Sequence, residues 1–375
     1  MRIAGFRFRM KNSAALVPAP RNALYHSAMP FGRRYAFLLA FITVLFPTSL
    51  AAISLRDLFL AASSAGQGIS VPSIDLELAA LRLRKARLEA RTESARLNAE
   101  SAFASSEAAY RKALLALLDD LVDTAFAAAE ADLDASSAAL EMENAGENRK
   151  YAESRYRAGL LSLEELRTAE LELRTGTTDH ELALWTFQDA RDAFRFKFGK
   201  EWDLSLLPEL PGEEPGGTIE RWIGMDASLR LLGLSERMAE TALAELPANA
   251  PGFDRTIKAT ELSKAREASL RAESASRRAY DSIRRKLKNQ DAVLQIRREE
   301  SGLSAISSGD ARERYDCGLI SLSARNLQRI AELDARKRLL LAWKAYLKTL
   351  GEYSINLGAD PLGADPLGAD PPGTP

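Results

Sequence analysis

The chain is poor in the residues on which most catalytic and metal-binding sites depend. Among its 375 residues there is one cysteine, Cys317, and only two histidines, His26 and His180. A single thiol excludes an internal disulfide and leaves the redox compartment open. No cysteine pair, phosphate-cradling glycine loop or nucleophile motif is present. No catalytic, cofactor or metal residue is therefore nominated, and the chain reads as a non-enzyme. Aromatics make up 7% of the chain, and between Ser73 and Ala145 there is neither glycine nor proline. Their scarcity argues against a compact α/β enzyme and for long helices.

Charge is distributed unevenly. The first 52 residues hold seven bases (Arg2, Arg7, Arg9, Lys11, Arg21, Arg33 and Arg34) and no acid, leaving 44 bases against 52 acids in the remainder. An acidic body argues against a nucleic-acid partner. Arg33 and Arg34 precede the apolar run YAFLLAFITVLF and the small-residue stretch PTSLAA, the order of a secretory signal peptide. The run is short for a bilayer span. Residues 1–52 are thus expected to be a leader and signal peptide, cleaved after Ala51 or Ala52, with Met29 as a candidate start. An exported protein, in the outer membrane or periplasm, is expected.

Beyond the leader the chain is rich in Ala, Leu, Arg and Glu, a composition that favours helix. Leu114, Leu118, Leu121 and Ala125 recur at alternating four- and three-residue steps, as a coiled-coil seam requires. The sequence leaves open whether one helix runs from residue 73 to 158 or a corner falls between Ser101 and Glu107. Further on, Leu166, Leu173, His180, Phe187 and Phe194 stand at seven-residue intervals, flanked by Leu163, Leu184 and Phe198. His180 on this seam reads as a tolerated core or tunnel residue rather than a ligand. Leu333, Leu340 and Leu347 repeat the pattern, with Trp343, Leu350 and Leu357 beside them. Seven-residue repeats sustained over several turns imply left-handed supercoiling. Arginines interleaved with Glu164, Glu165, Glu170 and Glu172 suggest a solvated or interhelical face. The expected class is all-α: two repeats of long antiparallel coiled-coil helical hairpins.

The same turn occurs twice, as RYRAGLLSLEEL from Arg155 and RYDCGLISLSAR from Arg314. Gly159 and Gly318 suit the left-handed position that ends a helix. Ser162 then caps the next helix, with Glu165 completing a capping box and Leu161 and Leu166 placed for a hydrophobic staple. The second copy keeps Ser321 but has Ala324 and Arg325 at the box and staple positions, which predicts a weaker cap.

The pattern Tyr-x-x-Gly-Leu-x-Ser-Leu, twice, each followed by a long helix, resembles that of the TolC-like outer-membrane efflux proteins. The matching residues are Tyr156, Gly159, Leu160, Ser162 and Glu165 in the first repeat, and Tyr315, Gly318, Leu319 and Ser321 in the second. ISLRDLFLAA resembles the opening helix of that family's mature domain, and MDASLRLLGLSERMAETALAELPANAP the opening of its second repeat. The resemblance implies a TolC-like homotrimer forming a tunnel across the periplasm. Its hairpin tips would meet a periplasmic adaptor protein of an inner-membrane pump, making the chain the exit duct of a tripartite efflux or secretion system. Leu160, Leu161, Leu319 and Ile320 would then either dock a partner or staple the turn, and the two roles are compatible.

The family also implies a pair of membrane-spanning strands per repeat, each needing about 9 to 11 alternating residues. SSAGQGISVPSIDL and PANAPGFDRTIKA are too short to supply them, and the phenylalanines of FRFKFGKEW read as core. Little or no β-barrel is expected, which puts an outer-membrane pore in question. The alternative function is a periplasmic coiled-coil scaffold derived from this family without a conducting pore. The expected organisation is leader 1–52, first hairpin repeat 53–202, Pro/Gly-rich linker 203–217, second hairpin repeat 218–358 and a disordered LGADP-repeat tail 359–375.

Overall fold

The computed structural model describes residues 55–66, 68–203 and 216–359. The expected leader, all but the ends of the linker, and the tail beyond residue 359 lie outside the described residues. Eight helices are present among those described: α1 (Leu55–Ser64), α2 (Ser70–Glu89), α3 (Glu93–Arg157), α4 (Leu163–Phe198), α5 (Ile219–Met225), α6 (Ala227–Ala244), α7 (Gly252–Asp316) and α8 (Leu322–Asn356). No β-strand occurs among the described residues, and the architecture is a TolC-like arrangement of helical hairpins.

Helices α3 and α7 each run 65 residues, about 98 Å at 1.5 Å per residue. Each turns back into a shorter antiparallel partner, α3 into α4 and α7 into α8, and the two hairpins join where α3 packs on α8. The seam of α3 is largely alanine: Ala125, Ala128, Ala129, Ala131 and Ala135 are all buried. Small side chains permit close helix approach. At Gly176 of α4 a Cβ would lie 3.4 Å from the Met142 Cα.

Leu114, Leu118, Leu121 and Ala125 are all buried, as are Leu333, Leu340, Leu347 and Leu357. All of these but Leu333 and Leu357 join α1 and the end of α4 in an apolar core that includes Leu55, Phe59, Val122, Phe126 and Phe194. Trp202 packs there and donates from Nε1 to the Ala125 carbonyl at 2.9 Å. A second cluster gathers Trp222 of α5, Tyr280 and Ile283 of α7, and Tyr353 of α8. Tyr280 donates its hydroxyl to the Gly217 carbonyl at 2.8 Å, and Arg221 Nε donates to the Leu357 carbonyl at 2.9 Å. A Cβ on Gly217 would come within 2.5 Å of Leu357 Cδ1.

Two expectations are corrected. The corner in the first repeat lies at residues 90–92, between α2 and α3, so that neither a single helix over 73–158 nor a corner between Ser101 and Glu107 is found. It needs neither glycine nor proline because Ala90 simply leaves helical geometry at ψ 123° and Thr92 restarts the helix, accepting from the Ala95 N–H at 3.3 Å. Its counterpart between α6 and α7 spans 245–251. Neither the corner at 90–92 nor the described part of SSAGQGISVPSIDL holds a strand, and half of that stretch lies in α2. Finally, Phe194 is fully buried but Phe196 is 91% exposed, because two helical steps rotate a side chain by about 200°.

Candidate functional site

The two turns that the sequence singles out lie at the same end of the paired hairpins. This follows from the antiparallel contact of α3 with α8, recorded by Lys348–Asp123 at 2.7 Å, Lys337–Asp134 at 2.6 Å and Arg325–Glu143 at 3.5 Å. Rising residue numbers on α3 thus meet falling numbers on α8.

Each turn closes by the same backbone device. Gly159 has φ 71° and Gly318 has φ 73°. The Gly159 N–H donates to the Tyr156 carbonyl at 2.9 Å and Leu160 N–H to the Arg155 carbonyl at 2.9 Å; Gly318 and Leu319 donate likewise to Tyr315 and Arg314, both at 2.8 Å. These paired bonds satisfy the last carbonyls of α3 and α7 as a Schellman motif. Neither glycine has a neighbour within 4 Å of where a Cβ would stand, so glycine serves conformation here and not space.

The restarts differ. Ser162 Oγ accepts from the Glu165 N–H at 3.2 Å while Glu165 Oε2 accepts from the Ser162 N–H at 2.9 Å and its hydroxyl at 2.8 Å. The Ser162 backbone N–H, and then its hydroxyl, hold the Glu165 carboxyl below its ordinary range. Ser321 Oγ accepts only the Ala324 N–H, at 3.2 Å. Arg325, standing where the first repeat has Leu166, instead lies over the Tyr315 ring at 4.7 Å, a cation–π contact in place of an apolar staple.

The sequence-nominated residues present a mixed surface. Leu160 and Leu319 project into solvent, 67% and 69% exposed, and Tyr156 is exposed on the flank. Leu161, Tyr315 and Ile320 are half-buried; Ser162, Glu165 and Ser321 are exposed with their caps made. Cys317, also exposed, sits directly before Gly318.

Sequence reasoning missed the polar bracing behind the turns. Asn326 is fully buried in α8, donating from Nδ2 to Glu143 Oε2 at 2.7 Å and to Asn144 Oδ1 at 3.0 Å on α3, while its Oδ1 accepts from Arg325. It stands seven residues before Leu333, so an asparagine on the heptad seam was the available signal. Glu332 is buried between Arg329 and Arg336. Burial alone would raise its pKa, but hydrogen bonds from Ser308 and Arg329 and the two guanidiniums hold it low. His180 is half-buried on α4. Among the described residues no cluster of three or more candidate ligands could hold a metal, and no helix is long and apolar enough to cross a membrane.

No protein-family model and no curated protein sequence matches the chain. Solved structures do share its fold. A membrane protein from Pseudomonas aeruginosa superimposes with a TM-score of 0.55 at 17% identity, covering 79% of this chain and 93% of that one. CusC, described in terms of folding and transmembrane channel formation, gives 0.50 at 12% identity over 83% and 92% of the two chains. At these identities the likeness is one of fold, and it is the fold that the repeated turn pointed to.

Proposed function

We propose that the chain is a subunit of a helical efflux duct at the outer membrane or in the periplasm, self-assembled as a homotrimer. In this reading it is the exit component of a tripartite efflux or secretion system and is not an enzyme. The observation that carries the reading is the duplicated hairpin with both capped turns at one end, each displaying an exposed leucine. Such an end fits an adaptor protein, with Leu160 and Leu319 as apolar contacts on well-anchored turns.

Self-assembly is supported by apolar stripes that no described helix covers. Leu171, Leu182, Trp185 and Phe196 are exposed on α4 and fall within about 40° of one line at 100° per residue. Val71, Ile74, Leu78 and Leu81 are exposed on α2 at alternating three- and four-residue steps, the spacing of an unfilled coiled-coil seam.

The scaffold reading has its own observation. The chain passes from helix to helix through residues 90–92 and 245–251 without a strand. A periplasmic brace needs nothing more at that end.

Two measurements test these readings. Expressed in a Gram-negative envelope, the duct is expected in the outer-membrane fraction as a trimer-sized species that survives an alkaline carbonate wash; release as soluble monomer would exclude it. A photoreactive maleimide on the native Cys317 is expected to capture a periplasmic adaptor. Capture that is unchanged in the Leu160→Ser, Leu319→Ser double variant would exclude docking through the tips.

A further inference from the structure

The end of the bundle opposite the turns carries a different chemistry, and we propose that it binds an anionic lipid surface directly. Four helix termini converge there: the C-terminal ends of α2 and α6 and the N-terminal ends of α3 and α7, which meet at the corners 90–92 and 245–251. Arg237 of α6 lies 3.9 Å from Glu93 and 3.8 Å from Glu100, setting the two corners side by side.

Each corner exposes a large apolar residue. Leu88, two positions before Ala90, is 87% exposed, and Phe253, two after Pro251, is 77% exposed. Side chains this bare at a helix end have no role in the fold described. Around them the charge is basic: residues 82–92 and 245–258 hold seven bases (Arg82, Arg84, Lys85, Arg87, Arg91, Arg255 and Lys258) against Glu89, Glu245 and Asp254, in a chain whose net charge is −1. Arg255 also braces the second corner, donating to the Ala248 carbonyl at 2.6 Å.

Behind the corners a groove of about 430 Å³ opens between α2 and α6, with Arg87, Arg230, Arg237 and Glu100 on its walls and Leu83, Phe103 and Leu234 among its apolar lining. Arg230 and Arg237 are paired there with Glu107 and Glu100, which leaves Arg87 to meet a phosphate headgroup beside apolar surface for the start of its acyl chain.

Apolar points flanked by long cationic side chains are the arrangement of an interfacial contact. The apolar groups enter the acyl boundary while arginines stay at headgroup level. Among the described residues neither a strand nor a membrane-length helix is present at this end. A second copy of the chain is the competing occupant for Leu88, which continues the spacing of the α2 stripe beyond Lys85. Phe253 is followed on its face of α7 by Ile257 alone, 41% exposed, too short a run for a helix seam, and the local positive charge favours lipid over another copy carrying the same charge. The inference goes beyond the duct reading and holds whether or not the hairpins conduct.

The test places an environment-sensitive NBD fluorophore at Leu88→Cys or Phe253→Cys in the full chain carrying Cys317→Ser, with the label on native Cys317 as the tip control. On mixing with phosphatidylcholine vesicles containing phosphatidylglycerol, both corner probes are expected to brighten and shift to the blue while the tip probe stays unchanged. Reversing Arg84, Arg87 and Arg91 to Glu is expected to weaken the corner response about a hundredfold in lipid concentration. Because the tip and corner probes share the same N-terminal segment, a difference between them belongs to the corner. Silent corner probes, an equal response on pure phosphatidylcholine, or an equal response at Cys317 would overturn the proposal. So would a corner response that rises with protein concentration in the absence of vesicles, which would assign the surface to a second copy.

Discussion

Glycine has opposite meanings at different points of this chain, and that can be measured. Gly318 ends α7 at φ 73° with open space around it, so Gly318→Ala introduces only the strain of a left-handed alanine, about 1 kcal/mol. Gly302 lies inside α7, exposed and with nothing within 4 Å of the position a Cβ would take. Gly302→Ala should therefore stabilise by about 0.5–1 kcal/mol through helix propensity. Urea unfolding followed by circular dichroism is expected to give opposite signs for the two variants. Glu332 makes a second residue-scale prediction. Its folded pKa is depressed, so its contribution is present above the unfolded carboxylate value and is lost as pH falls through the lower folded one. Glu332→Gln should cost about 1–2 kcal/mol at pH 7, since its arginine partners remain half-exposed when it is gone. The wild-type and variant melting curves should converge as the pH drops below the carboxylate range; a gap that stays constant would show that the pairing carries no charge contribution.

At the scale of the element, α3 and α8 meet as an acidic face on a basic one. Lys344 lies 3.3 Å from Asp123 and 3.6 Å from Glu130, and Lys348 2.7 Å from Asp123. Partial burial would raise the Asp123 pKa, yet the two lysines hold it below its ordinary value. Lys344→Glu should cost about 2 kcal/mol, lost attraction and new repulsion together, and Asp123→Lys should restore about 1 kcal/mol in the double variant. Additive effects in the double-mutant cycle would mean that the seam rests on its alanines alone. The helices themselves were legible because seven-residue spacing survives in Leu333, Leu340 and Leu347 and the turns carry Gly and Ser at fixed offsets. The corner at residues 90–92 was not, because Ala90, Arg91 and Thr92 include no helix breaker and the reversal is imposed by α2 packing back on α3. The weaker second cap was legible from Ala324; the Arg325–Tyr315 contact that stands in for the staple was not, since it joins residues of two different helices. Asn326 was visible only as a polar residue on an apolar seam, and its partners Glu143 and Asn144 lie 183 and 182 residues away.

For the whole molecule, the apolar surface left uncovered by the hairpins decides between a lone subunit and an assembly. The α4 stripe from Leu171 to Phe196 covers 25 helical steps, about 38 Å, and its residues are 59%, 57%, 60% and 91% exposed in order. Apolar side chains scattered singly need no partner, whereas these four share one helix face, with exposed Thr178 and Asp189 between them, and large apolar groups aligned on one face favour a partner. None of these residues is needed by the cores around Phe126 and Tyr353, so polar substitution should leave the subunit folded. In sedimentation velocity, Leu182→Ser with Trp185→Ser is expected to shift the chain from a trimer-sized species toward monomer, with helical circular dichroism unchanged. Each lost apolar contact is repeated at every subunit boundary of a closed ring, so two substitutions should weaken assembly far more than a single interface would suggest. An unchanged sedimentation coefficient would show that the stripe faces something other than another copy, and would direct attention to the α2 stripe as the remaining candidate for the subunit boundary.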